Sequence, residues 1–143
     1  RMPNNSKPIK FFHQEKPYSC AAACLRMVPA TIGIERTEEE IRQLCHTDFR
    51  GTHIDDLVSA ARQLGLHAEK RNASIADLTT ADYAIVYLDM FPISGIPSIH
   101  AVVVEEVNDT VTLIDPIVGK RLLALEQFQQ AWRLCRHLSV LIR

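Results

Sequence analysis

The chain has 143 residues, 47% hydrophobic and 23% charged, the balance of a globular domain able to fill a core. Sixteen Lys and Arg against seventeen Asp and Glu leave a formal charge of −1, with no electrostatic footprint for nucleic acid or an anionic membrane surface. No apolar run approaches the roughly 18 residues of a membrane helix, and four irregularly spaced cysteines do not make a disulfide scaffold.

Residues 1–10 are polar, carry two prolines and read as an N-terminal arm; residues 11–143 read as a single domain. Ser19 to Val28 is small and apolar almost throughout, which predicts a helix buried in the middle of the fold, ended or kinked at Pro29. Thr37-Glu38-Glu39-Glu40 has the form of a capping box and opens a helix to about Cys45. Thr52 is the expected cap of a third helix, with Ile54, Leu57, Val58, Ala61 and Leu64 on one face and Gly65 as its stop.

The period then changes. Leu66 to Arg71 predicts a strand and Ser74 to Thr80 a short helix. Tyr83 to Leu88 is nearly continuously apolar, as for a strand covered on both faces. Met90 to Ser98, with two prolines and a glycine, reads as a loop. Ile99 to Val107 and Thr110 to Ile114 predict a hairpin around a tight Asn108-Asp109 turn. Leu125 to Leu134 is helical and His137 to Ile142 a last strand. Helices first and an antiparallel sheet second make an α+β domain.

Candidate chemistry starts at Cys20. A cysteine at the start of a buried helix has its thiolate favoured by the positive helix end, and the thiolate is the nucleophile. Backbone N–H groups at that turn can stabilise an oxyanion, with the Gln14 amide as a second donor. His100 lies in an apolar strand, where a lone histidine is more often a satisfied core residue than a catalytic one. The hairpin supplies the counter-argument. A two-residue turn places Asp115 opposite Val102, which shares a face with His100. His100 and Asp115 then become diagonal neighbours about 7 Å apart at the backbone, and the carboxylate can orient the imidazole. A three-residue loop would move Asp115 to the other face.

Gln14, Cys20 in its Ala-rich helix, the strand His100-Ala101-Val102-Val103-Val104 and Asp115-Pro116 together resemble the papain-like cysteine peptidases. The nearest branch is the bacteriocin-processing, double-glycine-cleaving family. The resemblance runs nearly end to end, through Arg50-Gly51-Thr52, Leu64-Gly65-Leu66, Gly119, Leu125-Glu126, Phe128 and Trp132. It implies a papain-like fold, with the catalytic cysteine at the start of a buried helix packed on a C-terminal antiparallel sheet. It also implies Cys20 as nucleophile, His100 as general base and acid, Asp115 as the orienting group and Gln14 as oxyanion donor, with cleavage after Gly-Gly. Two features depart from the family pattern. Ser19 and Ala21 flank the cysteine where an acid and a glycine are usual, and Ile99 precedes the histidine in place of a glycine or aromatic residue.

No cofactor or metal is expected, since Cys20-x3-Cys24 and Cys45-His46 lack zinc spacings. Cys24 reads as core, Cys45 and Cys135 as buried thiols, Trp132 with Phe128 as core, and the three glutamates from Glu38 as a dipole-matched helix start. His13 reads as solvated or lining a cleft; His46, His53, His67 and His137 have no evident partner. The expected partner is a peptide or protein substrate, without nucleic acid or membrane contact. The same triad on this fold also runs deamidation or transglutamination, and relatives lacking the cysteine only bind peptides. The start at Arg1 and the ending on a core strand suit a C-terminal toxin domain of a bacterial effector, with a cognate immunity protein. The expected location is cytoplasmic, that of the target cell in the effector case.

Overall fold

The computed structural model describes residues 8–143. Three helices come first, α1 (Cys20–Thr31), α2 (Glu38–Leu44) and α3 (Ile54–Gln63). Then follow β1 (Ala68–Asn72), α4 (Ile75–Thr80), β2 (Tyr83–Asp89), α5 (Phe91–Ser94) and β3 (Ile99–Val107). The chain continues through β4 (Thr110–Asp115), β5 (Gly119–Ala124), α6 (Leu125–Arg133) and β6 (Leu138–Ile142).

Local chemistry sets several of these starts. Thr37 accepts the Glu40 N–H while the Glu40 carboxylate accepts the Thr37 N–H, a complete capping box on α2. Ser74 and Asp77 repeat the device on α4. At α3 the cap is one residue later than expected. His53 is the N-cap and its Nδ1 accepts the Asp55 N–H at 3.1 Å, because the Thr52 hydroxyl is engaged with that of Thr47 at 2.8 Å. Pro29 does not end α1, which continues to Thr31. In a last turn a proline forfeits only one intrahelical bond, and the Thr31 hydroxyl donates back to the Met27 carbonyl at 2.8 Å.

The strands form one antiparallel sheet in the order β1-β6-β2-β3-β4-β5. On one face α1, α2 and α3 bring Leu25, Met27, Ile41 and Leu57 against Ile85, Tyr87, Ala101 and Val103. Ile9, within the expected arm, packs into this core, with its N–H donating to the Glu105 carboxylate at 2.9 Å. On the other face α4 and α6 bring Leu78, Phe128 and Trp132 against Val86, Leu88, Val102 and Val104. β2 is therefore apolar at successive positions because both its faces are covered. Each such buried Leu, Ile or Phe contributes about 1.5–3 kcal/mol of burial free energy.

Two elements were not expected from the sequence. The segment read as a loop holds α5, with Pro92 in its first turn and Gly95 ending it at φ 80°. β5 pairs with β4 through a turn from Asp115 to Gly119. The β3–β4 hairpin also differs. Val107 pairs with Val111, so three residues lie between them, not two. A one-residue shift between Val104 and Glu106 then restores the register, and Val104 pairs with Leu113 and Val103 with Ile114. Glu105 is the extra, bulged residue.

Candidate active site

Cys20 is the first residue of α1, and the buried Ala21, Ala22 and Ala23 behind it let that helix lie close against β3. The β3–β4 ladder has its last pair at Val103 and Ile114. Beyond that pair the Ala101 backbone serves α1 in place of β4. Its carbonyl accepts from the Cys24 thiol at 3.4 Å, and its N–H reaches the Cys20 sulfur. The candidate nucleophile thus sits in the gap between two strands, still partly exposed.

His100 and Asp115 line the same gap, 8% and 1% exposed. His100 Nε2 lies 2.7 Å from Asp115 Oδ1, and the imidazole also hydrogen-bonds the Cys20 thiol. With Nε2 committed to the carboxylate, Nδ1 is the nitrogen left for sulfur. Asp115 accepts two further bonds, from the Ile117 N–H to Oδ1 at 2.8 Å and from Arg121 Nε to Oδ2 at 2.9 Å.

These contacts decide the charges. Burial opposes ionisation of Cys20, but the His100 hydrogen bond, the Ala101 and Ala21 backbone and the His100 charge outweigh it and lower the thiol pKa. Burial also disfavours the charged imidazole of His100; bonding to Asp115 and to Cys20 reverses this and raises its pKa to about 9. Asp115 resists its own burial through His100, the Ile117 N–H and Arg121, and falls to about 2. A lowered thiol beside a raised imidazole favours the thiolate–imidazolium pair, the form that attacks carbonyl carbon.

Gln14 is buried in the segment before α1. Its backbone N–H donates to the Pro116 carbonyl at 2.8 Å, which ties it to the residue after Asp115. One side-chain N–H donates to the Lys16 carbonyl at 2.7 Å, and Oε1 has no partner among the described residues. Ser19, where the family usually has an acid, is fully buried and bonds both backbone groups of Lys16 at 3.0 Å, closing the turn into α1. The structure therefore brings Cys20, His100 and Asp115 into one chain of hydrogen bonds and joins Gln14 to it through Pro116.

The remaining cysteines are free thiols; Cys24 and Cys45 are buried as expected, whereas Cys135 is partly exposed. Burial pushes Cys24 well above its ordinary value, Cys45 up to about 12 and Cys135 up to about 11. Trp132 is fully buried, with Phe128 5.3 Å away and its Nε1 donating to Ser139 Oγ. His13 is exposed, its Nδ1 2.6 Å from the Gln14 carbonyl. Three histidines without an expected partner have one: His46 lies 3.5 Å from Asp56, His53 caps α3 at the Asp55 N–H, and His137 stacks on Trp132. Arg121 escaped notice because β5 did. Leu113 pairs with Arg121 and Asp115 with Gly119, so Arg121 is diagonal to Asp115, the same relationship that predicted His100.

Helices packed on an antiparallel sheet, with a helix-start thiol facing a buried His–Asp couple, define a papain-like cysteine peptidase. The Peptidase C39 family model matches residues 8–137, and the chain belongs to that family. An uncharacterized protein of Methanothermobacter marburgensis is 34% identical over 109 residues, spanning 75% of this chain and 71% of that protein. Among solved structures, a double glycine motif protease from an AMS/PCAT transporter, in complex with the leader peptide, has a TM-score of 0.80 at 19% identity. It covers 97% of this chain and 94% of that one. The peptidase domain of Streptococcus ComA, a bi-functional ABC transporter of a quorum-sensing pathway, has a TM-score of 0.78 at 26% identity. It covers 94% of this chain and 98% of that one. Among the described residues no helix is long and apolar enough to cross a membrane.

Proposed function

We propose that this cysteine peptidase cleaves peptides after a Gly-Gly pair, using Cys20, His100, Asp115 and Gln14. The carrying observation is the hydrogen-bond chain from the Cys20 thiol through His100 to Asp115 at the start of α1. The Cys20 thiolate adds to the scissile carbonyl. The resulting oxyanion takes hydrogen bonds from the Cys20 backbone N–H and the Gln14 amide. The His100 imidazolium then gives its proton to the leaving amine, and a thioester remains on Cys20. Neutral His100 next takes a proton from water, whose oxygen attacks the thioester; collapse releases the acid and restores the pair. Asp115, held by Arg121 and Ile117, keeps the imidazole aimed and supports its positive charge throughout.

The Gly-Gly preference is supported by the likeness to transporter peptidases, one of them a double glycine motif protease. An effector-toxin setting with an immunity protein has no such support and stays outside this reading. The test is mass spectrometry of a Gly-Gly leader-type peptide incubated with wild type and with Cys20→Ala. Cleavage after Gly-Gly by wild type alone is the expected result. A well-folded, active Cys20→Ala protein overturns the mechanism. A mass gain on Gln or Asn without cleavage moves the protein to the deamidases, and binding without turnover makes it a peptide-holding module.

A further inference from the structure

Glu38, Glu39 and Glu40 stand together in the sequence, but the fold separates them. Glu39 and Glu40 are exposed, and Glu40 completes the α2 capping box. Glu38 has 0% of its side chain exposed. Its Oε1 accepts the Glu15 backbone N–H at 2.9 Å, and its Oε2 accepts Arg42 Nε, also at 2.9 Å. Arg42 reaches on to Glu15 Oε1 at 3.2 Å, and Arg26 lies 3.8 Å from the other oxygen of Glu15. A carboxylate taken out of water is retained only with such partners.

The segment that Glu38 grips belongs to no helix or strand. On one side the Gln14 N–H is held by the Pro116 carbonyl, and on the other the next N–H, that of Glu15, is held by Glu38. A donor to a developing oxyanion is effective only where its position is set before the reaction, and a loop donor owes that position to its neighbours.

We infer that Glu38 is a positioning residue for the oxyanion site: by holding the Glu15 N–H from α2 it fixes the backbone that aims the Gln14 amide. This rests on the reading of Gln14 as oxyanion donor. Glu38→Gln keeps the side-chain shape but can satisfy only one of the two partners, since its amide nitrogen cannot accept a hydrogen bond. The thiolate–imidazolium pair lies outside this contact, so its reactivity is unaffected.

The experiment compares wild type, Glu38→Gln, Gln14→Ala and the double variant on the Gly-Gly peptide, well below every melting temperature. Glu38→Ala serves as a stronger version of the same change. Glu38→Gln is expected to lower kcat about tenfold with KM little changed, and to lower it no further in the Gln14→Ala background. The iodoacetamide alkylation rate of Cys20 stays at the wild-type value. A kcat unchanged in Glu38→Ala as well as in Glu38→Gln, an equal loss in both backgrounds, or slowed Cys20 alkylation overturns the inference while leaving the Gln14 reading in place. Near-wild-type turnover by Gln14→Ala removes the oxyanion reading itself, and the role of Glu38 with it.

Discussion

Arg121 reaches the Asp115 carboxylate from the neighbouring strand, its Nε 2.9 Å from Oδ2, while His100 occupies the other oxygen. The carboxylate is thereby fixed in rotation and in charge. Arg121→Ala is expected to leave Oδ2 with no partner, to lower stability by about 2 kcal/mol and to lower kcat about tenfold. Urea denaturation and peptide cleavage measure the two effects. Wild-type values for both would show that the contact is idle.

The pH dependence follows from the direction of each shift. Activity should appear as Cys20 ionises below the ordinary thiol range and fall away as His100 loses its proton near pH 9. In stability, His100 is raised from 6.5, so its contribution is complete below about pH 6.5 and is lost as pH rises through about 9. Asp115 is lowered from 3.8, so its contribution is present above about pH 3.8 and is lost as pH falls toward 2. A pH profile of kcat/KM alongside thermal melts checks both. An alkaline limb centred near pH 6.5 would contradict the His100–Asp115 coupling.

Gln14→Ala should lower kcat by a factor of about 10²–10³, or about 3–4 kcal/mol in the barrier, with little change in KM. The truncated side chain gives up its hydrogen bond to the Lys16 carbonyl and keeps the backbone tie to Pro116, so the melting temperature should change little. Steady-state kinetics on a Gly-Gly peptide are the measurement, and a reduction below about tenfold takes Gln14 out of the oxyanion site.

Among the four thiols, Cys20 alone is both partly exposed and lowered in pKa. Iodoacetamide near neutral pH should modify Cys20 first and spare Cys24, Cys45 and Cys135, whose thiols burial pushes upward. Peptide mapping reads the order directly. Equal labelling of Cys135, the other partly exposed thiol, would show that Cys20 is not activated.

The expected meeting of His100 and Asp115 came from a two-residue turn, and the turn has three residues. The contact forms because the bulge at Glu105 removes the one-residue error before the strands reach the site. Nothing in the alternation of apolar residues announces that bulge. The bulged residue's partners are remote in sequence: the Glu105 carboxylate takes the Ile9 N–H and lies 3.4 Å from Lys120 on β5.

Sequence alone determined what short-range physics controls. The capping boxes at Thr37 and Ser74, the glycine stop at Gly65 and the double-sided burial of β2 all follow from residues within a turn or strand of one another. Cys20 was legible as a candidate for the same reason, since a helix start is a local property, whereas His100 and Asp115 entered through an assumed hairpin register and the family resemblance. Tertiary structure decided the rest. Arg121 beside Asp115, the Ala101 backbone turned toward Cys20, and Glu38 buried against Glu15 each join residues from separate elements. Such pairings are set by cross-strand register and by which helix lies over the sheet, and neither is encoded in the spacing of neighbouring residues.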